Sequence, residues 1–346
     1  MVLPKVTLLI AAYNQREILM EKVRNCYGLD YPPDLLELAF VTDGSTDGSE
    51  DLLFDLPLVR VFHTPLREGR LAAISRAIHR VTSPIIVLTD ADCMLNPESI
   101  YQVVRHFNDP LVGAVTGEIK YLGGKNGPKP REQSRFRYDA MINQLESDFN
   151  SAVGASGGLF SFRRELFHEL PEDVIFSDFV LSLDIASRGY RVIYEPNAFA
   201  EESMSTDLEV DWKKRVKTCA GGFQALKMYL FLLSPKRFSV LGFQFLSQRF
   251  LRLAVIPFIL PLVFVLSFWQ AYEGITVYQY FFAIQAAGYA TALLGFLYQR
   301  IDRIPSLIDV PFQFVMSNAA AYAGLIRFLK GNSTKPWEPS ISKSKA

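Results

Sequence analysis

The first 200 residues alternate short apolar runs with longer amphipathic stretches. Apolar runs of strand length cover residues 6–12, 35–42, 59–63, 84–89 and 112–121. Continuous apolar runs bounded by turn residues are typical of strands that are buried on both faces of a sheet. Because helical stretches separate these runs, the pattern predicts an α/β fold with a doubly wound, mostly parallel sheet. In such a sheet the polar residues that follow the strands meet at one edge.

The pattern changes after residue 220, where the apolar runs become much longer. Residues 221–240 are amphipathic and rich in aromatic side chains, which predicts a helix lying in the bilayer interface. Three runs of membrane-spanning length follow at about 251–270, 278–298 and 308–329. A buried helical domain of a soluble protein is the alternative, but the belts of Trp and Tyr favour transmembrane helices.

These patterns divide the chain into four parts: an α/β domain (1–220), an interface helix (221–240), a transmembrane region (241–330) and a polar tail (331–346). The third apolar run is the weakest because it contains Asp309, Asn318 and Arg327. The loop before the second run has no Lys or Arg, whereas Arg300 and Arg303 precede the third. Positive residues favour the cytoplasmic side, so we expect a multi-pass protein of the cell (inner) membrane with a cytoplasmic α/β domain. The third segment is then weak or re-entrant.

Composition narrows the possible functions. The chain of 346 residues has 36 acidic and 36 basic side chains, so its net charge gives no reason to expect a nucleic-acid partner. Its three cysteines form no CxxC or Cys/His pattern, and we expect reduced thiols in a cytosolic compartment. The first apolar run is too short for a signal peptide. The hydrophobic content of 49% is high for a soluble enzyme, and the excess lies in the last third.

Two aspartates, Asp90 and Asp92, follow the apolar run 84–89 and are separated by one residue. Alternate side chains of a strand share a face, so both carboxylates are expected at one point beyond the carboxyl end of this strand. Mg²⁺ is usually held by one or two carboxylates together with substrate phosphates, so the pair predicts a divalent-metal site. The alternative is an acidic turn that caps a helix. Asp43 follows the run 35–42 in the same way.

Several motifs occur in a fixed order along the chain. They are AAYN (11–14), VTDGSTDGS (41–49), REGR (67–70), TDAD (89–92), GGLFSFRREL (157–166), SDFVLSLDIASRGYRVIYEP (177–196) and WKKRVK (212–217). With these motifs the chain resembles membrane-bound family 2 glycosyltransferases, inverting enzymes of the GT-A fold. That family includes hyaluronan, cellulose and poly-N-acetylglucosamine synthases and exopolysaccharide glycosyltransferases. The resemblance implies a nucleotide-sugar donor, with UDP as the expected nucleotide, and Mg²⁺ or Mn²⁺ as the cofactor.

The resemblance also implies roles for residues that bind the donor. The matching donor-binding positions are Ala11, Tyr13, Asp43, Arg70, Asp90 and Asp92. Asp43 would hold the uracil or ribose, and Asp90 would contact the nucleotide sugar. Asp92 would be the ligand of the metal on the diphosphate. A departing nucleoside diphosphate gains negative charge, and a cation placed there stabilises it.

The remaining candidate residues concern the acceptor and the leaving group. Asp178 matches the family's general base, and Arg215 matches the arginine of its QxxRW motif, which neutralises diphosphate. Gly157 and Gly158 are candidate acceptor-side residues because small residues let a substrate approach the backbone, although an ordinary loop is an equal alternative. Asp178 is predicted to open a helix, whose dipole favours the charged carboxylate, so we expect a weak base.

Three differences from the family pattern affect the predicted function. Ser177 stands where the family usually has an acid, Trp212 and Val216 stand for the Gln and Trp of QxxRW, and no transmembrane run precedes the α/β domain. These differences make a single-sugar transferase at least as compatible as a processive synthase. The predicted reaction transfers a sugar to a hydroxyl of a glycan or lipid-linked glycan at the cytoplasmic membrane face, in cell-surface polysaccharide synthesis. The alternatives are a polyprenyl-phosphate glycosyltransferase and a non-catalytic membrane subunit that binds nucleotide sugars.

Overall fold

The structure of the protein is a computed structural model, and it describes residues 3–122, 130–155, 157–171, 173–175, 177–203, 208–235, 239–298 and 305–331. The strands are β1 (Val6–Ala12), β2 (Leu36–Asp43), β3 (Val59–Thr64), β4 (Ile85–Asp90), β5 (Cys93–Leu95), β6 (Val112–Leu122), β7 (Phe160–Arg163) and β8 (Arg191–Ser203). The helices of the α/β domain are α1 (Arg16–Tyr27), α2 (Asp51–Phe54), α3 (Arg70–Ile78), α4 (Ser99–Val104), α5 (Pro130–Phe149) and α6 (Ser177–Ser187). They are followed by α7 (Leu208–Tyr229), α8 (Val240–Phe245), a π-helix (Leu246–Val255), α9 (Ile256–Tyr272), α10 (Thr276–Leu297) and α11 (Ser306–Leu329).

One sheet with the strand order β3-β2-β1-β4-β7-β6-β8-β5 organises the α/β domain. Strand β1 pairs in parallel with β2 and β4, and β2 pairs in parallel with β3. Strand β7 is antiparallel to both of its neighbours, and β5 is antiparallel to β8. The predicted α/β sheet is confirmed, with its parallel part in the first four strands along the chain and a mixed part beyond β4.

The central strands are buried on both faces, as their continuous apolar runs predict. In β1, Leu9 packs into one core cluster, whereas Leu8 and Ile10 pack into another. In β4, Ile86 and Val87 divide in the same way between the two clusters. Since successive side chains of a strand point to opposite faces, the sheet separates two cores that helices cover. The carboxyl ends of β1, β2 and β4 therefore remain as the edge where polar groups collect.

Helix α7 runs without a break through the predicted domain boundary at residue 220. The predicted interface helix at 221–240 therefore differs from the structure: its first part is the end of α7, and residues 236–238 lie outside the described residues. Two of the described helices, Val240–Tyr272 and Thr276–Leu297, are long and apolar enough to cross a membrane. Helix α11 covers the third predicted run. Residues 299–304, with Arg300 and Arg303, and the tail 332–346 lie outside the described residues.

Two prolines explain how α11 contacts α9. Pro261 lies inside α9 and has no N–H, so the carbonyl of Pro257, four residues earlier, has no helical donor. The hydroxyl of Tyr322 in α11 donates to that carbonyl at 2.8 Å, and the Tyr322 ring meets Phe258 edge-on. A polar side chain of a neighbouring helix thus satisfies the exposed backbone group, as an apolar environment requires.

The π-helix connects the C-terminal helices to the α/β domain through Arg249. Its guanidinium donates to the carbonyl of Val153, with an Nε–O distance of 2.9 Å, and lies 4.8 Å from the centre of the Phe179 ring. Phe179 belongs to the first turn of α6, so Arg249 of the π-helix holds the start of this helix.

Candidate functional site

Three carboxylates lie at the edge of the sheet where the sequence places them. Asp43 ends β2 and Asp90 ends β4, while Asp92 lies in the turn that leads from β4 to β5. The prediction that Asp90 and Asp92 share a strand face is therefore wrong in its reason, because the strand ends at Asp90. The turn still brings them together: ligand atoms of Asp90, Asp92 and Cys93 lie within 4.8 Å of one another.

Arg70, the first residue of α3, joins Asp90 to Asp178 on α6. Its Nε donates to Asp90 Oδ1 at 3.0 Å, and its Nη1 donates to Asp178 Oδ2 at 3.0 Å and to the hydroxyl of Ser177 at 3.0 Å. Residues that are 88 positions apart, Asp90 and Asp178, thus share one guanidinium. Ser177, which stands where the resemblance predicts an acid, contributes an acceptor for Arg70.

Burial and this shared cation set the protonation of the site. Burial lowers the pKa of Arg70, but the Asp178 and Asp90 carboxylates outweigh it and raise that pKa, so the guanidinium stays charged. Burial raises the pKa of Asp178, and Asp90 adds to the rise, while Arg70 opposes both. The expectation of a low pKa and a weak base at the start of a helix is thus not met, since desolvation outweighs the helix dipole.

Asp92 and Asp90 form a site that fits a divalent cation. Burial, with Asp90 and Glu202 nearby, raises the pKa of Asp92 to about 6. The acidic side chains here therefore exceed the basic groups that could neutralise them. Carboxylate oxygens are the ligands that Mg²⁺ and Mn²⁺ prefer. Cys93 is a poor third ligand because burial raises the pKa of its thiol, which leaves the sulfur protonated. The residues that would hold the cation are therefore Asp92 and Asp90.

A cleft beside Asp90 collects four of the residues predicted to bind the donor. Ala11, Tyr13, Asp43 and Arg70 line it together with Arg67. The guanidinium of Arg67 lies 3.7 Å from the centre of the Tyr13 ring, a close cation–π contact. The motif at 67–70 contains Arg67, but only its geometry in the structure identifies it as a residue of this cleft.

The carboxylate of Asp43 holds the loop that precedes Arg70. It accepts from the backbone N–H groups of Glu68 at 3.2 Å and Gly69 at 2.6 Å, and from Arg76 at 3.2 Å. The predicted contact of Asp43 with the uracil or ribose stays a prediction. What the structure adds is a positioning role, because the same loop leads directly into Arg70.

The two candidate glycines of the acceptor side have different surroundings. A Cβ at Gly157 would lie 2.8 Å from Asp178 Oδ2 and 3.5 Å from Asp90 Oδ2, so its backbone lies against both carboxylates. A Cβ at Gly158 would instead meet Ile119 at 2.9 Å, and its carbonyl accepts from Thr89 at 2.8 Å. The structure therefore places Gly157 beside the carboxylates and Gly158 in the packing of the sheet.

A buried lysine that sequence reasoning missed lies beneath the turn that carries Asp90 and Asp92. Lys22 of α1 is completely buried, and its ammonium group donates to Thr89 Oγ1 at 3.3 Å and to the carbonyl of Cys93. These contacts fix both ends of the segment that carries Asp90 and Asp92. In the sequence Lys22 has only the pattern of a helical surface residue, so no signal marks it.

Helix α7 carries the basic motif at 212–217, and its basic side chains point in different directions. Arg215 donates to Asp211 at 2.7 Å and to Gln313 at 2.6 Å and Ser317 at 3.0 Å of α11. Lys214 instead pairs with Glu202 at 3.0 Å, at the end of β8. The role of Arg215 at the diphosphate stays a prediction, and in this structure its donors are occupied by helix–helix contacts.

Comparisons with known sequences identify glycosyltransferases as relatives of this chain. The family model described as Glycosyl transferase family 2 matches residues 7–171. A poly-beta-1,6-N-acetyl-D-glucosamine synthase of Staphylococcus aureus (strain COL) is 27% identical over 244 residues, which cover 67% of this chain and 58% of that protein. A probable glycosyltransferase of Bacillus subtilis (strain 168) is 24% identical over 267 residues, which cover 72% of this chain and 63% of that protein. The chain thus spans less than two thirds of either relative.

A solved structure matches over a longer part of the chain. It is a mannosyltransferase from Pyrobaculum calidifontis in complex with GDP-Man and Mn²⁺, with a TM-score of 0.73 and 25% sequence identity. The match covers 95% of this chain and 88% of the mannosyltransferase. The likeness therefore includes helices that follow the α/β domain. The Mn²⁺ in the mannosyltransferase complex supports the coarser prediction of a divalent metal as the cofactor.

Proposed function

Because the chain belongs to glycosyltransferase family 2 and has the GT-A fold of that family, we propose that it is a metal-dependent inverting enzyme. In this proposal it transfers a sugar from a nucleotide sugar to a hydroxyl group of a glycan or a lipid-linked glycan. The observation that carries the proposal is that Arg70 joins Asp90 to Asp178. Asp92 lies beside Asp90, and Arg70 lines the same cleft as Ala11 and Tyr13. Asp90 and Asp92 would hold a divalent cation on the donor diphosphate. Asp178 would accept the proton of the acceptor hydroxyl.

The acceptor side of the mechanism rests on Asp178. The acceptor oxygen forms the new bond to the anomeric carbon, and its proton moves to the Asp178 carboxylate. Burial raises the pKa of this carboxyl, which makes it a better base, while Arg70 fixes its orientation from 3.0 Å. Attack from the side opposite to the leaving group inverts the anomeric centre.

The donor side separates charge as the bond between the anomeric carbon and the diphosphate oxygen breaks. The bonding electron pair leaves with the nucleoside diphosphate. Asp92 and Asp90 would hold a divalent cation here, and when bound it would supply a Lewis acid that stabilises this charge. Arg70 keeps Asp90 in place from 3.0 Å, and Lys22 fixes the turn below it.

Release of a nucleoside diphosphate tests the proposed function. Purified protein with Mn²⁺ is given UDP-sugars and GDP-sugars in turn, with a lipid extract as the acceptor, because two of the similar proteins differ in the sugar that their names contain. We expect release of UDP or GDP with one donor and a labelled glycan or lipid-linked glycan as product. A product that is a sugar on a lipid phosphate would instead support the polyprenyl-phosphate alternative. Absence of release with every donor would contradict the proposal.

The proposed location is the cytoplasmic face of the cell membrane, with membrane lipids around the helices Val240–Tyr272 and Thr276–Leu297. Their exposed side chains are mostly apolar along their whole length, including Leu262, Phe268 and Leu293, which supports contact with lipid. In intact cells a membrane-impermeant maleimide should label Glu273→Cys, in the loop between α9 and α10. It should not label Lys5→Cys in the α/β domain; the reverse labelling would contradict this orientation.

Gly157→Ala should lower turnover while donor binding persists. The added methyl group would lie 2.8 Å from Asp178 Oδ2, so the carboxylate must move from its position beside the acceptor. Displacement of a catalytic group by about 1 Å can lower a rate by about 10²-fold. Gly28→Ala is the matched control, because its methyl group would meet only backbone oxygens at 3.5 Å or more. Equal kcat values for both variants would remove Gly157 from the site.

A further inference from the structure

Residues 153–155 lie just before Gly157 and are held by side chains of two different helices. The N–H of Val153 donates to Glu146 Oε2 of α5 at 2.9 Å, and its carbonyl accepts from Arg249 Nε of the π-helix at 2.9 Å. A second nitrogen of the same guanidinium, Nη2, donates to that carbonyl as well. Hydrogen bonds from a charged donor are stronger than neutral ones, so the guanidinium holds this peptide firmly.

The ring of Phe179 lies against both this segment and Arg249. Gly154 has a φ of +109°, and a Cβ there would lie 2.3 Å from two ring carbons of Phe179. Only glycine lets the backbone approach the ring so closely. The guanidinium of Arg249 is 4.8 Å from the centre of the same ring, which is the distance of a cation–π contact. Arg249 therefore fixes the Phe179 ring and the backbone against which the ring packs.

Helix α6 meets the same segment at two further points. The hydroxyl of Ser182 accepts from the N–H of Ala155 at 3.0 Å and donates to the carbonyl of Phe179 at 2.8 Å. Asp178 directly precedes Phe179, and a Cβ at Gly157 would lie 2.8 Å from Asp178 Oδ2. The position of the Asp178 carboxylate is thus tied to the segment that Arg249 holds.

We propose that Arg249 is a positioning residue for the transfer reaction. Through the Phe179 ring and the residues 153–155 it fixes the carboxylate of Asp178, and the inference rests on the proposed role of Asp178 as the base. A catalytic group that moves by about 1 Å can lower a rate by about 10²-fold. Arg249 belongs to the helix Val240–Tyr272, which is long and apolar enough to cross a membrane. The base is therefore aligned by the helix that anchors the α/β domain in the proposed location.

The first test separates the transfer rate from donor binding in the full chain in detergent. Arg249→Met removes the guanidinium, so the single-turnover rate with saturating donor and a hydroxyl acceptor should fall by about 10- to 100-fold. The Kd of UDP or GDP with Mn²⁺ should stay within about threefold of wild type, since other residues line the donor cleft. Arg249→Lys keeps a charge and one donor, so its transfer rate should fall less.

A double-mutant cycle with Asp178→Asn shows whether Arg249 acts through the base. If it does, removal of the guanidinium should matter little once the base is absent. Arg249→Met combined with Asp178→Asn should then transfer sugar within about threefold of the rate of Asp178→Asn alone. An arginine that only offsets the charge of Glu146 would instead lower the rate by the same factor in both backgrounds, and that result would overturn the proposal.

Two other variants serve as a control and as a second route to the same contact. Arg252→Met changes an arginine of the same π-helix whose side chain is 55% exposed and 3.6 Å from Asp139, so the transfer rate should stay unchanged. Phe179→Leu removes the ring from the other side of the contact with Arg249. Its transfer rate should fall as that of Arg249→Met does, which keeps the proposal testable if Arg249→Met fails to fold.

The outcomes separate this inference from the proposed function. If the wild-type protein transfers sugar and a folded Arg249→Met transfers it at the same rate, the assignment of Arg249 is overturned while the function stands. Wild-type rates for both Phe179→Leu and Arg249→Lys would overturn it in the same way. If the wild-type protein releases neither UDP nor GDP from any sugar donor, the proposed function fails and the assignment fails with it.

Discussion

Asp92→Asn is expected to remove metal-dependent nucleotide binding and to lower turnover by at least about 10²- to 10³-fold. Asp92 is one of two carboxylates at the candidate metal site, and Asp90 already accepts from Arg70 at 3.0 Å. An asparagine has the same size but only a neutral oxygen, so it cannot replace the charge that holds a divalent cation. Calorimetry of Mn²⁺ and UDP or GDP binding measures the effect directly.

The pH dependence of wild-type binding gives a second measure of Asp92. Burial, with Asp90 and Glu202 nearby, raises its pKa to about 6 in the metal-free protein. A ligand must lose its proton to bind a metal, so the Kd of Mn²⁺ should be constant above about pH 7 and rise as the pH falls through about 6. Asp92→Asn should lose this dependence together with most of the binding.

The control for Asp92 is an aspartate that lies on the surface. Asp34→Asn changes an exposed side chain far from the turn, so metal binding and turnover should stay at the wild-type level. Unchanged metal-dependent binding of the nucleotide by Asp92→Asn would show that the cation binds elsewhere, and the proposed metal site would then be wrong.

The sequence predicts the sheet and its polar edge well because strands that are buried on both faces consist of continuous apolar residues. The apolar runs at 6–12 and 84–89 become β1 and β4, and their cores lie on both faces. The antiparallel insertion of β7 leaves no such mark, since a short buried strand has the same composition in either direction. Strand direction depends on long-range connections that no local pattern contains.

The site was predictable in its residue types and less so in its contacts. Asp90, Asp92 and Asp178 are visible as acids at strand and helix ends, but the pKa of Asp178 depends on burial, which its neighbours in sequence do not show. Arg70 is recognisable only as part of a motif, because its bridge joins residues 88 positions apart in the chain. The burial of Lys22 could not be predicted for the same reason. A lysine on a helix is expected at the surface, and its buried acceptor Thr89 is distant in the chain.

The basic motif on α7 shows why a position in a motif does not fix a role. Arg215 matches the family arginine, yet its side chain bonds to Gln313 and Ser317. A helix turns by about 100° per residue, so one step along the motif changes the partner of a side chain completely. Which basic residue faces the site is thus decided by how α7 packs on α11, and the apolar pattern alone does not report that packing.

Asp178→Asn is expected to fold, to bind donor within about threefold of wild type and to transfer sugar about 10²- to 10⁴-fold more slowly. Asparagine retains an oxygen for the bond from Arg70 at 3.0 Å, so the geometry around Arg70 persists. It cannot accept the proton of the acceptor hydroxyl, which is the step assigned to Asp178. Single-turnover rates with saturating donor and a hydroxyl acceptor measure this loss.

Two further measurements separate a base from a residue that only stabilises α6. Asp184→Asn changes an acid on the same helix that pairs with Arg188, so it should leave the transfer rate unchanged. Because burial raises the pKa of Asp178, wild-type kcat should fall at acidic pH at a value above that of an ordinary aspartate, and Asp178→Asn should lack this fall. If Asp178 only stabilised α6, Asp178→Asn would lower the unfolding temperature and keep the pH dependence of kcat.

The nature of the acceptor decides how the result is interpreted. A hydroxyl group loses its proton during attack and needs a base, whereas a phosphate oxygen is already charged at neutral pH and needs none. Near-normal transfer to a hydroxyl acceptor by Asp178→Asn would therefore remove Asp178 from the mechanism. If Asp178→Asn transfers sugar to a lipid phosphate at a near-normal rate, and neither wild type nor the variant transfers it to a hydroxyl, the proposed acceptor class is wrong. The bridge through Arg70 would then serve only to position Asp90.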